Sequence, residues 1–535
     1  MAVTATVPEQ APGERMMLLS QAAQVLNGRL AGPDVRFAAV STDSRKIMAG
    51  DLFIALRGEH FDGCEFVATA MQSGAAAAMV NADSYRIEDR GARIEQEAGS
   101  DAPPSILNPQ SRILNPDFPI LLVEDTRIAL GQLAAYWRRQ FDIPLVAITG
   151  SNGKTTVKEM LAGILREAAG SDEAVLATRG NLNNDIGMPL TLLQLNAQHR
   201  YAVIEMGMNH PGEIDYLTRI AAPDVALITN ASGAHLEGLG SVEAVARAKG
   251  EIFAGLKSHG AAVINADDAH APLWRTLAEA HQLLEFGLDI NADVSGTWHP
   301  NNGHPNGYGL QLEVTAPQGK FAVRLQVPGV HNARNALAAT AAASVLNVPL
   351  EAVVAGLEKF SGVAGRLQRK AARHGATLID DTYNANPASL RAAISVLAQS
   401  GAGKPGGRRV LVLGDMGELG ENAAAFHAEI GSEARRAGIE KLYALGPLSG
   451  NAAREFGSGA QHFERIEDLL DALEKELDAD TTVLVKGSRF MKMERVVEYL
   501  VVGRVTPAAA SNVEMAGVTR KPAGVTRPTG VNKCY

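Results

Sequence analysis

The sequence predicts an α/β protein centred on a doubly wound, mostly parallel sheet. From Pro144 onward, apolar, β-branched runs alternate with helical stretches: PLVAITG, VLATRG, YAVIEMG, DVALITN and AAVINAD. Short continuous apolar runs suit strands covered by helices on both faces, as parallel sheets require. A second alternating set starts near Gly365, with ATLIDDTY, RRVLVLGDM, KLYALG and TTVLVKGS. The first run, unlike those of the second set, opens into a glycine-rich loop, GSNGKTT. With 535 residues, 46% hydrophobic and 20% charged, the chain has material for about three or four domains.

Taken in order, the first expected domain is 17–120. It opens with a helix (LLSQAAQVLNG) and carries short strands such as DLFIAL and AAAAMVN. The Ser/Thr/Asp/Arg turn VSTDSRKIMAGD precedes them. A proline-bearing, low-complexity insertion at 87–119, with the near-duplicates SILNPQ and RILNPD, reads as a surface loop. The strand ILLVED and the helix TRIALGQLAAYWRRQF then lead into a central domain, 121–362. Within it, alternation in YGLQLEVTA and KFAVRLQV predicts a small antiparallel addition between Ala292 and Val327, and NARNALAATAAASVL a helix. The third domain is expected at 363–503. Residues 504–535, with a repeated A-G-V-T-R and no apolar periodicity, read as a disordered tail.

A net charge of −9 offers no broad basic field for nucleic acid or an anionic membrane. The two cysteines, Cys64 and Cys534, have no metal-ligand spacing and make no disulfide framework, which fits a reducing cytoplasm. No apolar run reaches the roughly 20 residues of a membrane span, and the polar N-terminus has no signal-peptide core. The expectation is a cytoplasmic protein without an integral membrane segment.

The loop after Leu145–Ile148 carries the chemistry. Gly150, Ser151, Asn152, Gly153, Lys154, Thr155 and Thr156 join an apolar strand to an amphipathic helix. Glycines let backbone N–H groups curl around a phosphate, and a helix N-terminus adds partial positive charge. Lys154 is placed to reach the terminal phosphates of ATP or GTP, and the Thr155 hydroxyl to ligate Mg²⁺. The loop is shorter than the usual G-x-x-x-x-G-K-[ST], because Ile148 stands at the first glycine.

Residues just past the strand ends are the further candidates. Glu205 ends the run YAVI, and a carboxylate there needs a partner, for which Mg²⁺ is suited. Asn181, Asn183 and Asn184, in TRGNLNND, offer neutral donors and acceptors to a substrate. His235, in NASGAHLEG, reads by itself as a polar loop residue. Lys249 shares a helical face with Val242, Val245, Ala246, Ile252 and Phe253, so a lysine occupies a buried stripe. Periodicity leaves two readings open: a stem whose ammonium snorkels to water, or a lysine projecting into an active site.

Ordered along the chain, STDSRKIMAGDLFIAL, TGSNGKTTVKEM, GNLNNDIGMPLTLL, IEMGMNHPGEI, NASGAHLEGLGS, PGVHNARNALAA, IDDTYNANPASL, VLGDMGELG and VKGSRFMKME resemble the Mur ligases, the ATP-dependent amide-forming enzymes of peptidoglycan precursor synthesis. The resemblance covers roughly residues 17–503 and fails at 87–119 and 504–535. GDMGELG with DDTYNANP is similar to the branch that adds D-alanyl-D-alanine to a UDP-N-acetylmuramoyl-tripeptide. The diaminopimelate- or lysine-adding branch typically carries DYAHTP instead.

The resemblance implies a three-domain architecture: a small α/β N-terminal domain, a P-loop ATPase centre and a Rossmann-like C-terminal domain. It implies ATP, two Mg²⁺ ions and an acyl-phosphate intermediate. Thr155 and Glu205 would share one ion and His235 would hold the second, with Lys249 carbamylated by CO₂ as an anionic oxygen ligand. Asn335 would bond adenine, and Arg366 and Asp381 would grip phosphate and ribose. Ser41, Asp43, Ser44 and Arg45 match the region that receives the uridine nucleotide. Asn181 and Asn184, with Asn384, Asn386, Lys486, Ser488 and Arg489, fall to the peptide substrates. The implied partners are these small molecules alone, with the enzyme a monomer. Another amide ligase of the same fold, such as a folylpolyglutamate synthase, is the nearer alternative. A P-loop regulatory NTPase is the more distant one.

Overall fold

The computed structural model describes residues 16–58, 61–84, 118–233, 236–300, 309–400 and 407–502. The tail expected at 504–535, most of the expected insertion at 87–119, and His235 lie outside them. The chain gathers into two compact units. The first runs to Val363 and takes in 386–392 and 418–422; the second holds 364–385, 393–417 and the chain from Ala423 on.

The first unit begins with helix α1 (Leu19–Leu26) and a five-stranded sheet: β1 (Arg29–Ala31), β2 (Val40–Ser41), β3 (Leu52–Ile54), β4 (Ala77–Asn81) and β5 (Ile120–Val123). Their order is β1-β5-β4-β3-β2, antiparallel between β1 and β5 and parallel elsewhere. Period-two alternation sends Leu52, Ile54, Met79 and Leu121 to one face, against Leu19 and Leu26. Phe53, Ala78, Val80 and Ile120 go to the other, against Val67 and Ala70. Asp125 caps helix α2 (Thr126–Arg138) by accepting the Arg127 and Ile128 amides. Leu130 and Leu133 of α2 belong to the core that continues into the larger sheet.

That larger sheet has nine strands: β6 (Leu145–Thr149), β7 (Val175–Ala177), β8 (Tyr201–Glu205), β9 (Val225–Ile228), β10 (Ala261–Asn265), β11 (Gln282–Gly287), β12 (Val294–Pro300), β13 (Leu310–Ala316) and β14 (Gly319–Leu325). The order is β14-β13-β12-β11-β10-β9-β6-β8-β7. Ala147, Ile204, Ala226, Ile228 and Ile264 face one layer of helices, α4 (Glu213–Ala221), α5 (Val242–Gly250) and α6 (Ala271–Leu277). Val146, Ile148, Val203, Leu227 and Val263 face α3 (Lys154–Ala169) and α7 (Val330–Val345). The predicted doubly wound sheet is therefore present, with helices covering both faces of its central strands.

From β6 the chain runs to β7 and β8 on one side, then to β9 on the other. Strand order thus reverses at β6, and a crevice opens beyond its carboxyl end. The antiparallel addition read from the sequence is β12, β13 and β14, which extend the same sheet through β11. Strand β11 was not anticipated, because its residues QLLEFG show neither a continuous apolar run nor clean alternation.

The second unit holds six strands: β15 (Gln368–Ala371), β16 (Thr377–Asp381), β17 (Arg408–Gly414), β18 (Lys441–Leu445), β19 (Ala460–Phe463) and β20 (Thr481–Lys486). Their order is β15-β16-β20-β17-β18-β19, with only the β15–β16 pair antiparallel. Sequence alone shows the four central strands. The two edges, QRKA and AQHF, are polar, as edge strands tend to be, and carry little apolar signal. Among the described residues no helix is long and apolar enough to cross a membrane.

Candidate active site

The phosphate-type loop leaves β6 at the switch point and enters α3 at Lys154. Two glycines set its path. Gly150 has φ +148°, and a Cβ there would lie 1.8 Å from Thr229 Oγ1. Gly153 has φ +85°, and a Cβ there would lie 2.4 Å from Asn335 Oδ1. No L side chain suits either position. The segment after β9 clasps the loop from the neighbouring strand end. Ser151 N–H donates to Asn230 O at 2.9 Å, and Asn152 N–H to Asn230 Oδ1 at 3.0 Å. Thr229 Oγ1 donates to Asn152 O at 2.6 Å, and Ser232 N–H to Ser151 Oγ at 3.0 Å. The asparagine and serine of NASG thus hold the loop's shape, a role that their sequence position past β9 could have indicated.

Lys154 lies at the start of α3, and its Nζ donates to Gly150 O at 2.7 Å. One residue on, Thr155 Oγ1 donates to Glu205 Oε2 at 2.8 Å. Glu205, the last residue of β8, is 2% exposed. Its Oε1 accepts Asn183 Nδ2 at 2.9 Å, so both carboxylate oxygens meet neutral donors. Thr155 and Glu205, fifty positions apart in sequence, are therefore adjacent. Asn184 Oδ1 accepts the Gly187 amide at 2.8 Å and starts the following helix, while Asn181 is exposed.

Lys249 lies on α5 and is 1% exposed. That exposure removes the snorkelling reading, since the ammonium does not reach water. Burial drives its pKa well below the usual lysine value, and the charge of Lys154 adds to the effect. The amine is thereby biased toward its neutral, nucleophilic form. Asn335, on α7, is buried against Gly153 and donates Nδ2 to Asn332 Oδ1 at 3.2 Å.

These donors suit a hard divalent cation beside a phosphate: a hydroxyl and a buried carboxylate, both oxygen ligands, at a loop built for anions. Among the described residues no group of three or more His, Cys, Asp or Glu forms a metal cage. Mg²⁺ is often held by one or two carboxylates together with substrate phosphates, so Thr155 and Glu205 fit it.

In the N-terminal part, Ser41, Asp43, Ser44 and Arg45 form one turn. Ser41 Oγ donates to Asp43 O at 3.1 Å, and Asp43 caps the single helical turn that opens at Ser44. Asp43 also pairs with Arg45 Nε at 2.8 Å. That hydrogen bond is the largest influence holding the Asp43 carboxyl down at about 2. Arg45 remains largely exposed.

In the second unit Asp381 ends β16 and Lys486 ends β20, its register partner. Lys486 Nζ donates to Asp381 Oδ2 at 2.6 Å and to Asn384 O at 2.9 Å. Burial raises the Asp381 pKa, and the Lys486 charge is the largest opposing influence. The Leu367 amide donates to Asp381 Oδ1 at 3.1 Å, and the adjacent Arg366 guanidinium stacks 4.2 Å over the Tyr383 ring. Ser488 is buried, donates to Ala385 O at 3.2 Å and accepts the Gly417 amide at 2.9 Å. Arg489 is exposed and pairs with Glu494 at 3.2 Å. Asn386 exchanges bonds with Ser389 in the segment that belongs to the first unit.

Three family models match the chain: the Mur ligase family catalytic domain at 36–138, the Mur ligase middle domain at 148–343, and the Mur ligase glutamate ligase domain at 365–489. UDP-N-acetylmuramoyl-tripeptide–D-alanyl-D-alanine ligase of Escherichia coli K12 is 41% identical over 486 residues, covering 90% of this chain and 98% of the relative. A crystal structure of MurF from Acinetobacter baumannii superposes with a TM-score of 0.78 at 36% identity, covering 92% of this chain and 99% of that one. MurF ligase from Thermotoga maritima, in complex with ADP, gives a TM-score of 0.69 at 26% identity, covering 86% of this chain and 96% of that one. By its matched domains, its relatives and the loop from which its site is built, the chain belongs to the Mur ligase family.

Proposed function

We propose that this protein is an ATP-dependent ligase that joins D-alanyl-D-alanine to UDP-N-acetylmuramoyl-tripeptide. The observation that carries the reading is the buried Glu205–Thr155 pair at the foot of a phosphate loop, in a chain matching nearly the full length of a relative bearing that name. A carboxylate oxygen of the tripeptide attacks the γ-phosphorus of ATP, and ADP leaves. The uncharged amine of the dipeptide then attacks the acyl carbon of the resulting acyl phosphate. Phosphate leaves, and the nitrogen gives up a proton as the amide forms.

The residues divide these tasks. The loop Gly150–Thr156 cradles the triphosphate, and Lys154 meets the negative charge that spreads over the transferring group. Thr155 and Glu205 would hold Mg²⁺, which when bound would supply charge neutralisation at the phosphate oxygens. Lys249, as its carbamate, and His235 are assigned to a second ion. Forming the carbamate requires a neutral amine, the form that burial of Lys249 favours. Asn335 is assigned to adenine, and Arg366 and Asp381 to phosphate and ribose. Ser41, Asp43, Ser44 and Arg45 are assigned to the uridine nucleotide. Asn181, Asn184, Asn384, Asn386, Lys486, Ser488 and Arg489 are assigned to the peptide substrates. A cytoplasmic monomer is the proposed form.

The deciding experiment measures ADP and phosphate release with each substrate omitted in turn. Stoichiometric release is expected only when ATP, the UDP-linked tripeptide and D-alanyl-D-alanine are all present. Comparable turnover with no amine acceptor would favour a regulatory NTPase, and ligation of glutamate to a folate would favour the folylpolyglutamate synthase reading.

A further inference from the structure

The buried face of α3 holds a charged residue that the reaction does not obviously need. Lys158 is 1% exposed and lies one helical turn beyond Lys154, among Val157, Leu161 and Leu165. An apolar side chain of similar volume would occupy such a site at lower cost in desolvation. Its Nζ pairs with Glu159 Oε1 at 2.7 Å and donates to the backbone carbonyl of Thr178 at 2.5 Å.

Thr178 stands where the β7 ladder stops. Strand β7 pairs with β8 through Ala177, opposite Val203, and ends there. The next residue continues the pairing by other means. Its amide donates to Val203 O at 3.1 Å, and its hydroxyl accepts the backbone N–H of Glu205 at 2.9 Å. On its other side β8 remains in register with β6, Glu205 opposite Ile148. The Thr178 hydroxyl therefore stands in for a ladder acceptor at the residue that carries the site's carboxylate. Thr178 is itself held by its amide, its carbonyl and its hydroxyl, and the carbonyl is the group that Lys158 grips.

We infer that Lys158, acting through Thr178, is a positioning residue for the Glu205 carboxylate. The chain of contacts is Lys158 Nζ to Thr178 O, then Thr178 Oγ1 to Glu205 N, and finally Glu205 Oε2 to Thr155 Oγ1. It ties the second turn of α3 to the end of β8, so the hydroxyl and the carboxylate are fixed from both sides. Hydrogen-bonding partners behind metal ligands commonly set ligand orientation in this way. The inference rests on the proposed role of Glu205 as a Mg²⁺ ligand.

The test is Mn²⁺ binding to the full-length protein in the presence of ADP, followed by electron paramagnetic resonance, alongside hydrogen exchange at the Glu205 amide. Lys158→Met and Thr178→Val are expected to weaken Mn²⁺ binding about tenfold and to speed Glu205 exchange, whereas Thr178→Ser stays within about twofold of wild type. The serine variant keeps the hydroxyl, so its recovery separates positioning from simple packing. Glu205→Gln, measured in parallel, should bind Mn²⁺ far more weakly than wild type. If Glu205→Gln binds poorly while Lys158→Met and Thr178→Val bind as wild type, the positioning role is overturned and the metal reading stands. If Glu205→Gln binds as wild type, both fall. Should Lys158→Met fail to fold, the two Thr178 variants decide: equal affinities overturn the inference.

Discussion

A lysine sealed into an interior is a weaker base than one in water, and the linkage at Lys249 has a definite sign. In the unfolded chain its amine keeps a proton up to about pH 10.4. In the folded, metal-free and CO₂-depleted protein, burial makes the same amine release that proton at lower pH. Between the two values the unfolded state binds more protons, so this residue's contribution to stability rises with pH. Lys249→Met is therefore expected to gain stability at neutral pH, with the gain shrinking as the pH nears 10, readable by urea unfolding at a series of pH values. Ligase activity should nonetheless be lost, and Lys249→Arg should fail as well, because a guanidinium keeps its charge and forms no carbamate. Carbon-13 NMR under labelled CO₂ should show a carbamate resonance in wild type and none in Lys249→Ala. An active, CO₂-depleted wild-type enzyme without that resonance would remove the carbamate. At the loop, Lys154→Ala should lower turnover by about a hundred- to a thousandfold while the melting temperature barely moves, since this side chain lies at the edge of the loop and not in the core. Helical phase places the stem of Lys249 on a buried stripe, but only the folded structure shows that its ammonium does not reach water. Nothing in the sequence marks Lys158, whose meaning depends on Thr178 and Glu205, which only folding brings near.

Among elements, the phosphate loop and the β16–β20 pair are the most sensitive to single changes. Gly150→Ala would force an L residue to φ +148° and drive a methyl into Thr229 Oγ1, the group that holds Asn152 O. A loss of about 2 kcal/mol or more is expected from the backbone alone, together with loss of ADP binding by calorimetry. In the second unit, Lys486→Met would leave Asp381 buried without its ammonium partner. Breaking such a pair costs about 3–5 kcal/mol, whereas replacing both members together, as in Asp381→Asn with Lys486→Met, should cost far less. Without Lys486 the Asp381 pKa rises further above its unfolded value, so the folded state holds the extra proton. The single variant should then lose stability as the pH climbs above the ordinary aspartate value of about 3.9, the direction a denaturation series would check. The strands β6, β8, β9 and β10 were readable because they are buried on both faces and thus continuously apolar. Strands β11, β15 and β19 were not, because partly exposed or edge positions accept polar residues, and their pairing supplies what composition does not.

For the molecule as a whole, the family motifs concentrate at strand ends, and the non-matching segments 87–119 and 504–535 fall between or beyond those motifs along the sequence. Excising 89–117 or 505–535 removes none of those motifs, so either deletion should leave ligation within a few-fold of wild type; a larger loss in soluble protein would assign that segment a role. The doubly wound class was legible because strand–helix alternation leaves few architectures, whereas the strand order came only with the structure. For the clasp of 229–232 around 150–152, position past β9 marks the segment, but its partners, about eighty positions away, come only with folding. One buried ring offers a way to watch this molecule at work. Trp274 on α6 is fully enclosed, and its indole N–H donates to the carbonyl of Ala246, on the helix that carries Lys249. The other two tryptophans, Trp137 and Trp298, lie elsewhere, and replacing both with phenylalanine would leave a single tryptophan, hydrogen-bonded to that helix. Its emission colour and lifetime would then report in real time whether the helix shifts when CO₂, metal or nucleotide arrives, giving each binding event an optical signature without any attached dye.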